Sequence, residues 1–319
     1  MLEGRFIDTL SRIHGTKPYL SDAEIIPQAG GFELVSMDSF SEREDFLHGL
    51  TPRQIGRQMA IGACADLLAC GAKPETLLQS WIYDDRHGLP FYEDVANGIQ
   101  EILDFHGAKC IGGDVGAAED WQWTACVIGH AEAPVRRRTS RRGDFDLYVS
   151  GGMGLPNAAI YSGKTLPCLY LREPVPPEAL FATDTSGRFM DALENFRRAN
   201  HGLQMDIELK TVLSPDVYDC LPAEAQPGWT LVGGVGEYEL VFAVPHGHDV
   251  RHGTKIGCGC FDDSEENNIR LHGADGCRGH VRHAPPDYRD VPKDQWIAVT
   301  AKYWKSLFEQ EDGDDAIIV

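Results

Sequence analysis

Between Arg57 and Lys73 the chain carries a single charged residue, Asp66, inside a helical pattern that is apolar on nearly every side. Thr51 suits the cap of this helix, Pro52 its first position, and Gly71 with Pro74 marks its end. Met59, Gly62, Asp66 and Cys70 share one stripe, while Ile61, Cys64, Leu67 and Leu68 cover much of the opposite side. Such a helix must be covered by other structure all round. A carboxylate buried there alone would cost several kcal/mol. It needs an arginine, backbone donors or a metal, and an ordinary ion pair to a neighbouring segment is the plainest of these readings.

Strand character at Phe32–Ser36, Leu78–Tyr83, Trp121–Ala131 and Leu147–Ser150 alternates with helical patterns over 52–71 and 90–106, which sets the class as α/β or α+β. The stretch from Pro134 to Asp144 puts five arginines into an acidic chain. That change of composition places a domain boundary there, with residues 1–138 on one side and 139–319 on the other. A helix near Arg188–Asn200 and strands at Leu231–Val232 and Glu239–Val244 are expected beyond it. With 319 residues, 42% of them hydrophobic, the chain is long enough for two cores.

Lys and Arg total 29 against 49 Asp and Glu, a net charge of -20, so a nucleic-acid backbone would be repelled over most of the surface. A small polyphosphate is not excluded, because a bound divalent cation lets acidic residues hold an anion indirectly. Nine scattered cysteines point to reduced thiols in a cytoplasm. The first residues have an amphipathic spacing of Phe6, Leu10 and Ile13 rather than an apolar signal core, and no stretch is apolar for long enough to span a bilayer.

Further aspartates sit where strands end. Asp38 follows Phe32–Ser36, and Asp114 follows Cys110 and Ile111 through Gly112 and Gly113, a pair that permits close approach of backbone to a ligand or simply makes a turn. The order of motifs is then informative: Ser36-Met37-Asp38, Ile55-Gly56, Ala65 to Pro74, Ile111-Gly112-Gly113-Asp114, Arg142-Gly143-Asp144, Asp184-Thr185-Ser186, and Gly236-Glu237-Tyr238-Glu239-Leu240. This series resembles the aminoimidazole ribonucleotide (AIR) synthetase / thiamine-monophosphate kinase superfamily, and thiamine-monophosphate kinase most. The stretch Ile55 to Pro74 is about as similar to the hydrogenase maturation factor of that superfamily.

The resemblance implies a PurM-like two-domain fold, with an N-terminal domain that pairs with its copy in a homodimer and a C-terminal α/β domain. It implies magnesium on Asp22, Asp38, Asp66, Asp114 and Asp184, and ATP as substrate near Gly112, Gly113, Asp114 and Ser186, with Arg137 or Arg138 on its phosphates. Asp38, Asp66 and Asp114 would serve catalysis, and Asp45, Glu237 and Tyr238 would face the acceptor. The physics agrees: two carboxylates about 4 Å apart repel by about 4 kcal/mol at an effective dielectric of 20, so converging aspartates are tolerable around cations. The activity implied is a magnesium-dependent transfer of the ATP γ-phosphate to thiamine monophosphate or another small acceptor. An ATP-driven dehydration or cyclisation and a non-catalytic nucleotide-binding homologue are the alternatives. Departures from the kinase pattern remain: Gly187 removes one acidic metal ligand and leaves the cation Arg188 nearby, Gly236 replaces the first carboxylate of a motif that faces substrate, and Asp45 stands for a histidine.

Four other patterns compete for attention. Ser162-Gly163-Lys164-Thr165 imitates the end of a P-loop, but Ala158 stands where its first glycine belongs. The glycines at 233–236 precede a strand rather than open a helix, unlike a dinucleotide fingerprint. Cys258, Cys260, Cys277, His272, His280 and His283 could hold zinc or could be buried thiols with loop histidines. The arginines at 136–138, 141 and 142 read equally as a solvated linker or as phosphate contacts.

Overall fold

The computed structural model describes residues 2–16, 20–41, 45, 49–164, 169, 171–221, 228–233, 236–273, 276, 278–286 and 290–308. The first half runs α1 (Leu2–His14), β1 (Glu24–Gln28), β2 (Gly31–Ser41), α2 (Pro52–Ala69), β3 (Lys73–Tyr83), α3 (Leu89–His106), β4 (Lys109–Ala117) and β5 (Gln122–Ala131). Its strands form one sheet in the order β1-β2-β5-β3-β4, antiparallel except for the pair β3 and β4. The second half runs β6 (Phe145–Val149), α4 (Leu155–Tyr161), β7 (Phe181–Asp184), α5 (Phe189–Ala199), β8 (Leu203–Glu208), α6 (Leu209–Val212), α7 (Pro215–Cys220), α8 (Trp229–Val232), β9 (Leu240–Pro245), β10 (Thr254–Phe261), β11 (Asn268–His272), β12 (Arg278–His280) and α9 (Trp296–Ser306). Its sheet has the order β12-β11-β8-β10-β6-β9-β7. The fold is thus mixed α/β with two sheets.

Helix α2 explains its own composition. It packs on β2, β3 and β5 of the first sheet and on β7 and β9 of the second, so no side is left for water. Its start is the expected one: the Gln54 N–H reaches the Thr51 hydroxyl, and the Thr51 N–H donates to Gln54 Oε1 at 2.9 Å. Gly71, at φ 80, ends it. The free carbonyls of its last turn are taken up by later parts of the chain, Leu68 by the Val175 N–H and Cys70 by the Val135 N–H, each at 3.0 Å.

Other elements follow the sequence reading closely, with two corrections. Asp38 and Asp114, expected where strands end, lie inside β2 and β4, because β2 continues to Ser41 and β4 to Ala117. Leu231 and Val232 lie in the short helix α8, not in a strand, because a two-residue apolar run carries no periodicity and Gly233 stops it. Among the described residues no helix is long and apolar enough to cross a membrane.

Helices α2 and α3 touch backbone to backbone. A Cβ on Gly56 would lie 1.9 Å from the Val95 carbonyl oxygen, and one on Gly98 would lie 2.0 Å from that of Arg53. Gly98→Ala should therefore force the helices apart and lower unfolding free energy by roughly 2 kcal/mol or more, measurable by urea denaturation. A variant as stable as the parent would show that the crossing tolerates a methyl group.

Candidate metal centre

Asp66 sits in the last turn of α2, a turn with no basic residue. The carbonyl end of a helix is a poor place for an anion. The Ser36 hydroxyl of β2 donates to Asp66 Oδ2. Asp184 ends β7 and is 3% exposed, and both of its carboxylate oxygens are buried without a hydrogen-bond partner among the described residues. Asp22 comes from the segment before β1. Its Oδ1 accepts from Arg137, at 2.6 Å from Nη2 and 3.2 Å from Nε, and from the Thr183 hydroxyl at 2.7 Å; its Oδ2 is buried and unpartnered.

One carboxylate oxygen from each of Asp22, Asp66 and Asp184 lies within 4.8 Å of the others, the only such group of potential metal ligands among the described residues. Burial, then the charge of Asp22, with a smaller push from Asp38, moves the Asp66 carboxyl up to about 7 against the Ser36 hydrogen bond and Arg137. Burial foremost, then Asp66 and Asp22, holds Asp184 well above the carboxylate range. Three buried oxygens without donors, and a surplus of carboxylates over the one guanidinium beside them among the described residues, describe a place for a hard cation with oxygen ligands. The residues present fit magnesium.

Asp38, on β2, is half-buried and near enough to act on Asp66 and Asp184. Asp114 is not brought into this group within the chain. It is exposed on the edge strand β4, and the register aligns Asp114, Ser80, Thr124 and Ser39 across the sheet. Ser39 is the neighbour of Asp38 in β2, so Asp114 stands on the opposite face of the sheet from Asp38. The expected convergence of Asp114 with Asp38 and Asp66 is corrected accordingly.

Gly113 meets a strand rather than an open site, since a Cβ there would lie 1.7 Å from the Gln79 carbonyl oxygen; Gly112 has φ 138 and nothing near its missing side chain. Arg137 is engaged with Asp22, whereas Arg138 and Ser186 are exposed. Arg188, which follows Asp184 closely in the chain, pairs with Asp191 at 2.6 Å and donates to the Pro286 carbonyl. The Asp45 carboxylate accepts the Ser41 N–H at 2.7 Å and closes a local turn.

Glu237 is buried and accepts the Gly154 N–H at 2.6 Å and Asn157 Nδ2 at 3.0 Å; burial pushes its carboxyl up to about 8. Asn157 also lines a cleft of about 210 Å³ with Tyr161, Trp229, Thr230 and Trp296. Sequence reasoning missed this cleft, because its aromatics lie far apart in the chain. Tyr238, at φ 53, is buried, and its ring and that of Phe40 lie in the space that the missing side chain of Gly62 leaves. Glu239 is paired with Arg172 and accepts the Ser150 hydroxyl.

The alternative patterns resolve simply. Gly163, at φ 67, follows the end of α4, not a strand. Cys258 and Cys260 are free thiols, and His272 Nε2 is 2.7 Å from Asp206 Oδ1. Cys168 and Cys277 lie outside the described residues.

Asp66 has a folded pKa above its unfolded value of about 3.9, so the native state binds the extra proton, and stability falls as pH rises from about 4 to 7. Asp66→Asn should flatten the decline in Tm of the EDTA-treated protein between about pH 5 and pH 7. An unchanged slope would mean that Asp66 is ionised throughout.

Residues 21–131 match the family described as AIR synthase related protein, N-terminal domain. The chain is 26% identical over 271 residues to the thiamine-monophosphate kinase of Archaeoglobus fulgidus, covering 81% of this chain and 89% of that one. Its fold is that of AaThiL complexed with AMPPCP and TMP, with a TM-score of 0.72 at 19% identity over 83% of this chain and 92% of the other. Hydrogenase maturation protein HypE in complex with ATP is similar too, with a TM-score of 0.64 at 16% identity over 91% and 96%. Sequence match and fold agree: residues 21–131 match the AIR synthase related N-terminal domain, and the chain as a whole is similar in sequence to thiamine-monophosphate kinases and shares their fold and that of HypE.

Proposed function

We propose that this chain is a cytoplasmic, magnesium-dependent phosphotransferase that passes the γ-phosphoryl group of ATP to a small acceptor, with residues 1–138 and 139–319 as its two domains. The observation that carries this reading is the group Asp22, Asp66 and Asp184, above all the two buried and unpartnered oxygens of Asp184. Asp22, Asp66 and Asp184, with Asp38 beside them, would hold the metal. Magnesium bound there would align the phosphates and offset the charge that develops in transfer. Arg137 holds Asp22 in place, and Ser36 orients Asp66. A relative named thiamine-monophosphate kinase and an AaThiL structure with an ATP analogue and TMP support ATP as donor.

The acceptor would enter the aromatic cleft beside Asn157, where Glu237 fixes the Gly154 and Asn157 positions. We also infer a homodimer through the outer face of the first sheet, where Met37 is 70% and Leu78 37% exposed. Asp114 shares that face, so it would act where two copies meet.

One observation favours a non-catalytic nucleotide-binding protein instead. At Gly236 a Cβ would lie 2.2 Å from the Ser186 carbonyl oxygen, so the loop is closed against the carboxylate that the kinase pattern has there. Release of ADP separates the two readings: purified protein with labelled ATP, magnesium and thiamine monophosphate should yield labelled diphosphate. Tight ATP binding with no turnover on this or related acceptors would favour the binding protein.

Asp66→Asn should weaken magnesium-dependent ATP binding by calorimetry at least tenfold, whereas Cys64→Ala, at a buried thiol near it on α2, should not. Equal losses in the two variants would remove the case for Asp66 as a metal ligand.

A further inference from the structure

We propose that Thr183 is a positioning residue for the metal centre, holding the Asp22 carboxylate by Oδ1 so that Oδ2 stays clear of hydrogen-bond donors. The inference rests on the metal reading above and concerns a residue outside every motif quoted from the sequence.

Thr183 is fully buried in β7. Its hydroxyl donates to Asp22 Oδ1 at 2.7 Å and accepts from Arg137 Nε at 3.1 Å, so its one proton and a lone pair are both committed. Arg137 Nη2 adds a further donor to the same Oδ1 at 2.6 Å. All three donors converge on Oδ1, and Oδ2 is left buried and unpartnered. Two outcomes follow for the carboxylate. Its rotation is fixed, and one oxygen is reserved for a ligand that is not a hydrogen-bond donor.

The position of Thr183 in the chain strengthens the argument. The next residue is Asp184, whose own oxygens are unpartnered. Consecutive residues of one short strand thus supply one candidate ligand and orient another that is distant in sequence. Any shift of β7 would move both together, and Arg137, two residues after the Val135 N–H that caps α2, ties the same point to the helix of Asp66. A valine in place of Thr183 has the same shape but cannot donate, so Asp22 would keep only Arg137 and gain freedom to turn.

The test uses the full chain and manganese, whose free ion is read by electron paramagnetic resonance, together with the rise in Tm that metal produces. Thr183→Val should weaken manganese binding about tenfold or more, the usual effect of losing a group that orients a metal ligand, and Thr183→Ser should restore it. The Tm in EDTA is compared separately, because a purely structural threonine would change that value and leave the metal-dependent increment alone. Thr183→Ala removes the same hydroxyl and answers the question if the valine variant does not fold. Parental affinity in the valine or alanine variant would overturn the positioning role while leaving the metal reading intact. Failure of the parent protein to bind manganese would overturn both.

Discussion

Mutual repulsion among carboxylates is the constraint around which this molecule is arranged. Bringing Asp22, Asp66 and Asp184 within 4.8 Å, with Asp38 nearby and a single arginine among them, works against folding unless protons or cations intervene. The rest of the protein supplies the force that holds them. Helix α2 is gripped by two sheets, β7 is paired into the second of them, and the segment carrying Asp22 is tied to Arg137 and Thr183. The apolar burial of α2 is the large favourable quantity; the carboxylate cluster is the small unfavourable one that it overcomes.

Much of this was legible in the residues. A lone Asp66 in an apolar helix demanded a partner, and the caps at Thr51 and Gly71 set its bounds to within two residues. Asp38 and Asp184 could be placed through motif order, although Asp38 lies inside β2 and not at its end. What could not be read was the face of the sheet on which each aspartate stands. Asp38 and Asp114 look alike as strand-end acids, yet pairing register puts them on opposite sides. Register depends on which strands become neighbours, and β4 joins the sheet by a parallel crossover that local sequence does not announce. Thr183 and Arg172 escaped for the same reason, since their partners are fixed by tertiary contacts.

The acceptor half illustrates a different limit. Loss of a carboxylate at Gly236 was visible in the sequence as a departure, but its consequence was not. The loop there packs against Thr185 and Ser186, with the Glu237 and Tyr238 N–H groups both directed at the Thr185 carbonyl oxygen at 3.1 and 3.2 Å. The glycine is a packing requirement, and the carboxylate that remains, Glu237, has turned inward to hold Gly154 and Asn157.

The shared ownership of α2 has a consequence for how the protein can be divided. A break at the arginine-rich connection between the sheets would leave the first half with a helix whose second flank, including the groove at Gly62 that receives Tyr238, has nothing to cover it. Such a fragment would be a sticky, incomplete object. The two sheets are therefore separate in architecture but share one helix, and neither half buries α2 without the other.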